Sequence, residues 1–203
     1  MIVVAISDTH GYHRELTQIP EGDLLIHAGD LTLSGRLAEV DDFDRWLGTL
    51  PHPHKVVIAG NHDWCFEQEP SEARARIRNA VYLEDEGVEL AGLRIHGSPW
   101  QPWFLDWAFN LHRGSRIAAR WAMIPEKTDI LVTHGPPHGI GDLTFSGHHV
   151  GCEDLLDRIR QIRPRLHVFG HIHEAAGVWE VDGTVFVNAS VDEAMGTPRA
   201  IRL

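Results

Sequence analysis

Short apolar runs alternate with longer amphipathic stretches along the chain. Runs rich in Val, Ile and Leu stand at 2–7 (IVVAIS), 23–29 (DLLIHAG), 55–60 (KVVIAG), 129–135 (DILVTHG) and 165–171 (RLHVFGH). Their length and β-branching predict strands. Helical spacing of apolar residues marks 36–50, 71–79, 113–124 and 151–163, with Pro51, Pro125 and Pro164 as stops. The segments 87–97 and 177–190 alternate like hairpins, the second around an Asp-Gly turn, and RAIRL at 199–203 predicts one more strand. Strands interleaved with helices predict an α/β fold. No repeat, low-complexity tract or linker interrupts the pattern. A length of 203 residues suits one domain over 1–203 with a sizeable core.

Composition narrows the class. Hydrophobic residues make up 43% of the chain, which excludes a disordered polymer. No apolar run approaches the roughly 18–20 residues of a membrane span. Cys65 and Cys152 are the only cysteines, too few for a disulfide framework. The leading IVVAI is too short for a secretory h-region and has no basic residues before it. Both features lead us to expect a cytoplasmic protein. A net charge of −11 disfavours long nucleic acid as a partner. The same acids, with 15 histidines, could serve divalent ions.

The polar residues that follow the apolar runs share one structural address. Asp8 and His10 follow the first, Asp30 the second, and Asn61, His62 and Asp63 the third. His134 follows the run at 129–133, and His171 and His173 follow the run at 165–169. Loops at the carboxyl ends of strands converge in open α/β sheets, and ligands bind there. Imidazole and carboxylate donors together suit Mn, Fe, Zn or Ni rather than calcium. A carboxylate can bridge two ions. Glycines at 29, 60, 135 and 170 allow tight turns and close approach.

DTH (8–10), GD (29–30), GNHD (60–63), TH (133–134) and GHIH (170–173) together resemble the five motif blocks of the calcineurin-like metallophosphoesterases. GSPWQPWF, WAFN, THGPP and FGHIHE…NAS resemble their metallophosphoesterase-domain-containing branch, which hydrolyses phosphodiesters including cyclic nucleotides. The resemblance implies two facing mixed β-sheets flanked by helices. It implies a first metal held by Asp8, His10, Asp30 and His173. Asp30 would bridge to a second metal held with Asn61, His134 and His171. It gives His62 the role of leaving-group acid or phosphate contact, with Asp63 orienting its ring. The expected cofactor is a pair of divalent ions, manganese first, with Fe, Ni, Zn and Mg as alternatives. The expected reaction is phosphodiester hydrolysis by hydroxide generated on the metals, without a covalent enzyme intermediate. A phosphomonoesterase or nuclease on the same site, and a non-catalytic metal-binding scaffold, stay open. Ser34 stands where protein phosphatases of this kind carry an arginine, which weighs against that activity.

The aromatic stretch PWQPWFLDWAF at 99–109 reads two ways. It either caps the core or walls a pocket on which a base stacks. On the second reading Trp100 is the favoured contact, with Asn110 and Arg113 reaching phosphate or ribose. The expected partner is a small phosphodiester or nucleotide, with no membrane. Among the remaining histidines, His27 reads as packed in the core and PHPH (51–54) as a surface turn. His96, His112, His138, His148, His149 and His167 read as loop residues. Arginines at 74, 76 and 78, and at 158, 160, 163 and 165, read as solvated helix faces.

Overall fold

Successive residues Val3 to Ile6 of strand β1 (Ile2–Ile6) are all buried, but against different partners. Val3 and Ala5 pack into one cluster, Val4 and Ile6 into another. That is the period-two geometry of a strand covered on both faces. It explains why the apolar runs are continuous rather than alternating. The computed structural model describes residues 1–191 and 197–203.

The remaining strands are β2 (Leu24–Ala28), β3 (His54–Ile58), β4 (Val81–Tyr82), β5 (Glu86–Leu90), β6 (Leu93–Ser98), β7 (Gln101–Pro102), β8 (Asn110–Leu111), β9 (Ile130–Thr133), β10 (Leu166–Phe169), β11 (Gly177–Val181), β12 (Thr184–Asn188) and β13 (Arg199–Arg202). The helices are α1 (Leu37–Leu47), α2 (Trp64–Gln68), α3 (Pro70–Arg76), α4 (Ser115–Trp121) and α5 (Glu153–Ile162). One sheet has the order β13-β1-β2-β3-β4, the other β11-β12-β10-β9-β6-β5. Both are mixed: β1, β2 and β3 run parallel, as do β6, β9, β10 and β12, while β13, β11 and β5 pair antiparallel at the edges.

Residues such as Val3, Ile26 and Val56 of the first sheet pack against Ile130, Val168 and Val187 of the second, so a core lies between the sheets. On its outer face the first sheet meets Val40, Phe43 and Leu47 of α1 and Phe66 of α2. The second meets Ile117 and Trp121 of α4 and Leu155 and Ile159 of α5. The architecture is two facing mixed sheets flanked by helices.

Local signals account for several ends. Glu39 accepts the Arg36 amide at 2.9 Å and also the amides of Leu33 and Ser34, so it caps α1 and pins the loop after β2. Asp182 and Gly183 both have positive φ, as the tight turn between β11 and β12 requires. Arg163 closes α5 in the left-handed region just before Pro164. The helix expected at 71–79 starts instead at Pro70, a favoured first-turn position, and ends at Arg76. Helix α2 and the two-residue strands β4, β7 and β8 are too short to leave a periodic signal. His96 and His167 lie on strands and are buried, so the expectation of loop positions is corrected. His52 is also buried, its Nε2 bonded to the Pro20 carbonyl at 3.0 Å, where a surface turn was expected.

Candidate metal centre

The parallel strands of both sheets end at one rim, and backbone bonds tie their loops together. The Asp8 amide donates to Gly29 O, Ser7 N to Ala189 O, and Gly170 N to His134 O. Asp8, His10, Asp30 and His171 all take positive φ, between 44° and 72°. Left-handed backbone costs a non-glycine residue about 1–2 kcal/mol. Four such residues at one rim concentrate strain where the side chains must converge. At Gly60 a Cβ would collide with Asp30 Oδ1 and His134, and at Gly170 with Asp8 Oδ2 and Ser7. Only glycine lets these carboxylates approach the backbone so closely.

The side chains form two overlapping groups. In the first, His10 Nε2 and His173 Nε2 lie 3.4 Å apart, and His173 Nε2 is 3.5 Å from Asp8 Oδ1. In the second, His134 Nε2 is 2.8 Å from Asn61 Oδ1 and 3.5 Å from Asp30 Oδ2. Asp30 Oδ2 also lies 3.7 Å from His10 Nε2, so this one carboxylate stands between the groups. The His171 ring lies 5.0 Å from that of His134. Donor atoms of Asp8, His10 and His173, and of Asp8, Asp30 and His134, each fall within 4.8 Å of one another.

Supporting contacts fix these positions. Both Asp8 oxygens accept the His171 amide, and Oδ2 also accepts Ser190 Oγ at 2.7 Å. Asp30 Oδ1 accepts the His62 amide at 2.8 Å. The His134 Nδ1–H donates to Ala28 O, which leaves Nε2 free to coordinate an ion. Two buried histidines brace the loops from below. His27 meets Thr9 Oγ1 at 3.0 Å, and His167 meets Thr133 Oγ1 at 2.8 Å. Each of those threonines adjoins a ligand of the site.

Charge points to cations. Burial works against ionising Asp8, yet His173, His134 and His10 hold it well below the usual carboxylate range. Burial likewise opposes ionised Asp30, but His134 and His10 bring it to about 2. For His134 burial opposes the charged form, and the carboxylates of Asp30 and Asp8 overcome it, to about 9. Two buried carboxylates thus face a cleft that, among the described residues, no Lys or Arg lines. Buried charge of this kind requires compensation. Imidazole nitrogen, carboxylate oxygen and an amide oxygen fit a pair of divalent ions.

A profile of the calcineurin-like phosphoesterases matches residues 1–175. The chain belongs to the calcineurin-like phosphoesterase family. It is 46% identical over 213 residues to metallophosphoesterase domain-containing protein 1 of Homo sapiens, across 93% of this chain and 65% of that protein. UPF0046 protein T07D4.2 of Caenorhabditis elegans is 40% identical across 91% of this chain and 54% of its own length. The chain thus spans between about half and two thirds of these relatives. A crystal structure of TT1561 from Thermus thermophilus superposes with a TM-score of 0.65 at 14% identity, covering 99% of this chain and 98% of the other. That likeness concerns the fold.

Calcineurin-like phosphoesterases typically bind a dinuclear metal site, and the structure brings the candidate ligands Asp8, His10, Asp30, Asn61, His134, His171 and His173 to one place. His62 joins them in the cleft, its donor atom within 4.8 Å of those of His10 and Asp30. Asp63 has a different job from the one expected. Its carboxylate accepts Leu31 N, Thr32 N, Thr32 Oγ1 and Gly60 N, and so bolts the loop after β2 to the loop after β3. Burial and the Asp30 charge push it up to about 6. The His62 ring is oriented instead by Leu33 O, which accepts Nδ1 at 3.0 Å, and by the Trp107 ring stacked at 4.3 Å.

The three expected substrate contacts lie outside the cleft lining. Trp100 packs on the core, donates Nε1 to Asp85 at 2.8 Å, and lies under the Arg120 guanidinium at 4.5 Å. Asn110 spends its amide on Phe104 O and Leu105 O, closing the aromatic loop. Arg113 donates to Val150 O, Gly151 O and Glu153. The lining uses Phe104, Leu105 and Trp107 from that loop, together with Phe145. Nothing in one dimension separates Trp107 from Trp100. Phe145 carries only a faint signal, as a lone aromatic within the polar turn TFSGHH.

Proposed function

We propose that this chain hydrolyses a small phosphodiester, with nucleotides, cyclic ones included, as the favoured class. The lining of the cleft carries the reading: a floor of carboxylates and imidazoles, apolar walls and, among the described residues, no Lys or Arg. A phosphomonoester brings close to two negative charges, and proteins usually meet it with arginine. A diester brings one charge and a second substituent that an apolar wall can hold. The net charge of −11 argues for a small substrate rather than long nucleic acid.

Asp8, His10, Asp30 and His173 would hold one ion, and Asp30, Asn61, His134 and His171 the other, with manganese the proposed metal. Ions there would supply Lewis acidity and a hydroxide source near neutral pH. The chain's own residues do the rest. Leu33 O fixes the tautomer of His62 with its proton on Nδ1, so Nε2 is the atom that serves the leaving oxygen. Trp107 covers one face of that ring and limits its rotation. Ala108 N bonded to Asn61 O ties the aromatic loop to the ligand loop. Cys65 and Cys152, both free and buried, suit the cytoplasm. Among the described residues no helix is long and apolar enough to cross a membrane.

The test is a hydrolysis panel of cyclic nucleotides, linear diesters and monoesters on protein reconstituted with Mn, Ni, Fe and Mg in turn. Diesters should exceed monoesters of the same leaving group by about tenfold or more in kcat/KM, about 1.4 kcal/mol of discrimination. A preference for monoesters would replace this reading with a phosphatase.

A further inference from the structure

Phe145 is 93% exposed, yet it lines the same cavity of about 580 Å³ as Asp8, His10 and His173. Its loop is built to hold it there. Thr144 N donates to His148 O, Gly147 N to Thr144 O, and Leu143 bridges His149. At the base of the loop the buried Asp142 carboxylate accepts Gly139 N, Gly151 N and the His149 ring. The Phe145 amide itself donates at 2.9 Å to Glu174, the residue after His173. The backbone at Phe145 is therefore tied to the loop that carries His173 by one hydrogen bond. On another side of the cavity Phe104 meets the His171 ring edge-on at 5.2 Å. Phe104 thus stands against His171, and Phe145 lines the same cleft as His173.

Resting on the phosphodiester reading above, we infer that Phe145 sets substrate specificity by contacting the non-leaving ester group, and that this group is large and flat or apolar. The leaving side belongs to His62, which neighbours His10. The other ester substituent of a diester must then exit past a different wall, and Phe145, held at Glu174, supplies one. A preformed loop loses little entropy on binding, so an exposed ring there converts contact into affinity. Phe145 touches substrate without serving the chemistry, so its effect falls on KM more than on kcat.

Two chromogenic diesters isolate this contact: bis(p-nitrophenyl) phosphate and methyl p-nitrophenyl phosphate release the same leaving group and differ in the group that stays. The wild-type protein with Mn²⁺ should favour the aryl diester, and Phe145→Ala should lower that preference about tenfold, mainly through KM, the size of a modest ring contact. The methyl substrate should change little, and Phe145→Leu should fall between. Because the side chain is exposed, thermal unfolding should not move. An unchanged ratio, or equal losses on both substrates, overturns the inference. Calorimetric binding of diphenyl phosphate against methyl phenyl phosphate reads the same contact where diesters are not turned over. There, loss of the phenyl preference in Phe145→Ala supports Phe145 even if the diesterase reading fails.

Discussion

His134 Nε2 meets the side-chain oxygen of Asn61 at 2.8 Å while Nδ1 of the same ring is committed to Ala28 O. Two acceptors this close need a cation between them or a proton on the ring. Burial disfavours that proton, but Asp30 and Asp8 outweigh it and raise His134 to about 9. Metal-free protein at pH 7.5 should carry the proton, and an ion entering the site should expel it. Roughly one proton should be released at this position. Calorimetry of Mn²⁺ binding in buffers of different ionisation enthalpy measures the number. It should vanish above about pH 9, and no release at pH 7.5 would contradict the assignment.

Asp30 Oδ2 lies 3.7 Å from His10 Nε2 and 3.5 Å from His134 Nε2. A neutral amide is a poor bridge between two cations. Asp30→Asn should lower metal content per chain and reduce turnover by about 100-fold or more, exceeding the loss of an outer contact. Metal analysis and kcat on one preparation decide this; two ions and full turnover would remove Asp30 from the bridge.

His62→Ala should keep the metals and lose about 10²–10⁴-fold in kcat on a diester with a poor leaving group. Nitrophenolate needs little protonation, so the loss there should be smaller. Equal losses would assign His62 to phosphate positioning instead.

Asp63→Ala is expected to act on stability. It strands the donors of Leu31, Thr32 and Gly60 in a buried place. The expected loss is about 3 kcal/mol or more by urea unfolding, larger than for Asp63→Asn. If His62 chemistry falls while stability holds, the loop-bolt role is wrong. Trp100→Ala should likewise destabilise the fold and leave the ratio of the two chromogenic diesters unchanged, because the ring packs on the core and on Arg120.

Burial lowers both His27 and His167 to about 3. An unfolded histidine titrates near 6.5. Between those values the unfolded chain binds more protons, so stability rises with pH there and is lost as pH falls below about 6.5. Asp63, raised to about 6, acts in the opposite direction below that pH. Asp8 and Asp30, held low, contribute only at stronger acid. Unfolding of metal-free protein between pH 7 and pH 5.5 should therefore show the histidine slope. His167→Gln preserves a donor for Thr133 and removes the titration. It should reduce that slope by one histidine's share, since His27, His171 and His96, also lowered by burial, keep theirs; an unchanged slope would place the acid sensitivity elsewhere.

Much of the fold was legible because strands covered on both faces write themselves as unbroken apolar runs. Strand β1, with Val3 and Val4 facing different cores, is an example. The ligand loops were legible for a related reason: a polar Asp, Asn or His directly after such a run has nowhere to go but the strand end. Short elements such as α2 were silent. Of the two bracing histidines, His27 was legible as a core residue within its strand, but His167 was not distinguished from a loop residue, since a buried imidazole held at one nitrogen by a threonine leaves no pattern along the chain.

The sequence by itself determined the strand order of the motifs, the residue types of the metal centre and the family. The first two follow from local periodicity and side-chain chemistry and the family from the resemblance of its motif blocks, all of them one-dimensional properties. Only the tertiary structure decided which aromatic faces the cleft, what Asp63 holds, and that Phe145 and Phe104 wall the site from separate loops. Those depend on backbone bonds between distant segments, such as Phe145 to Glu174 and Ala108 to Asn61. Closing such contacts sets the direction of a side chain, and direction is not encoded in the spacing of residues.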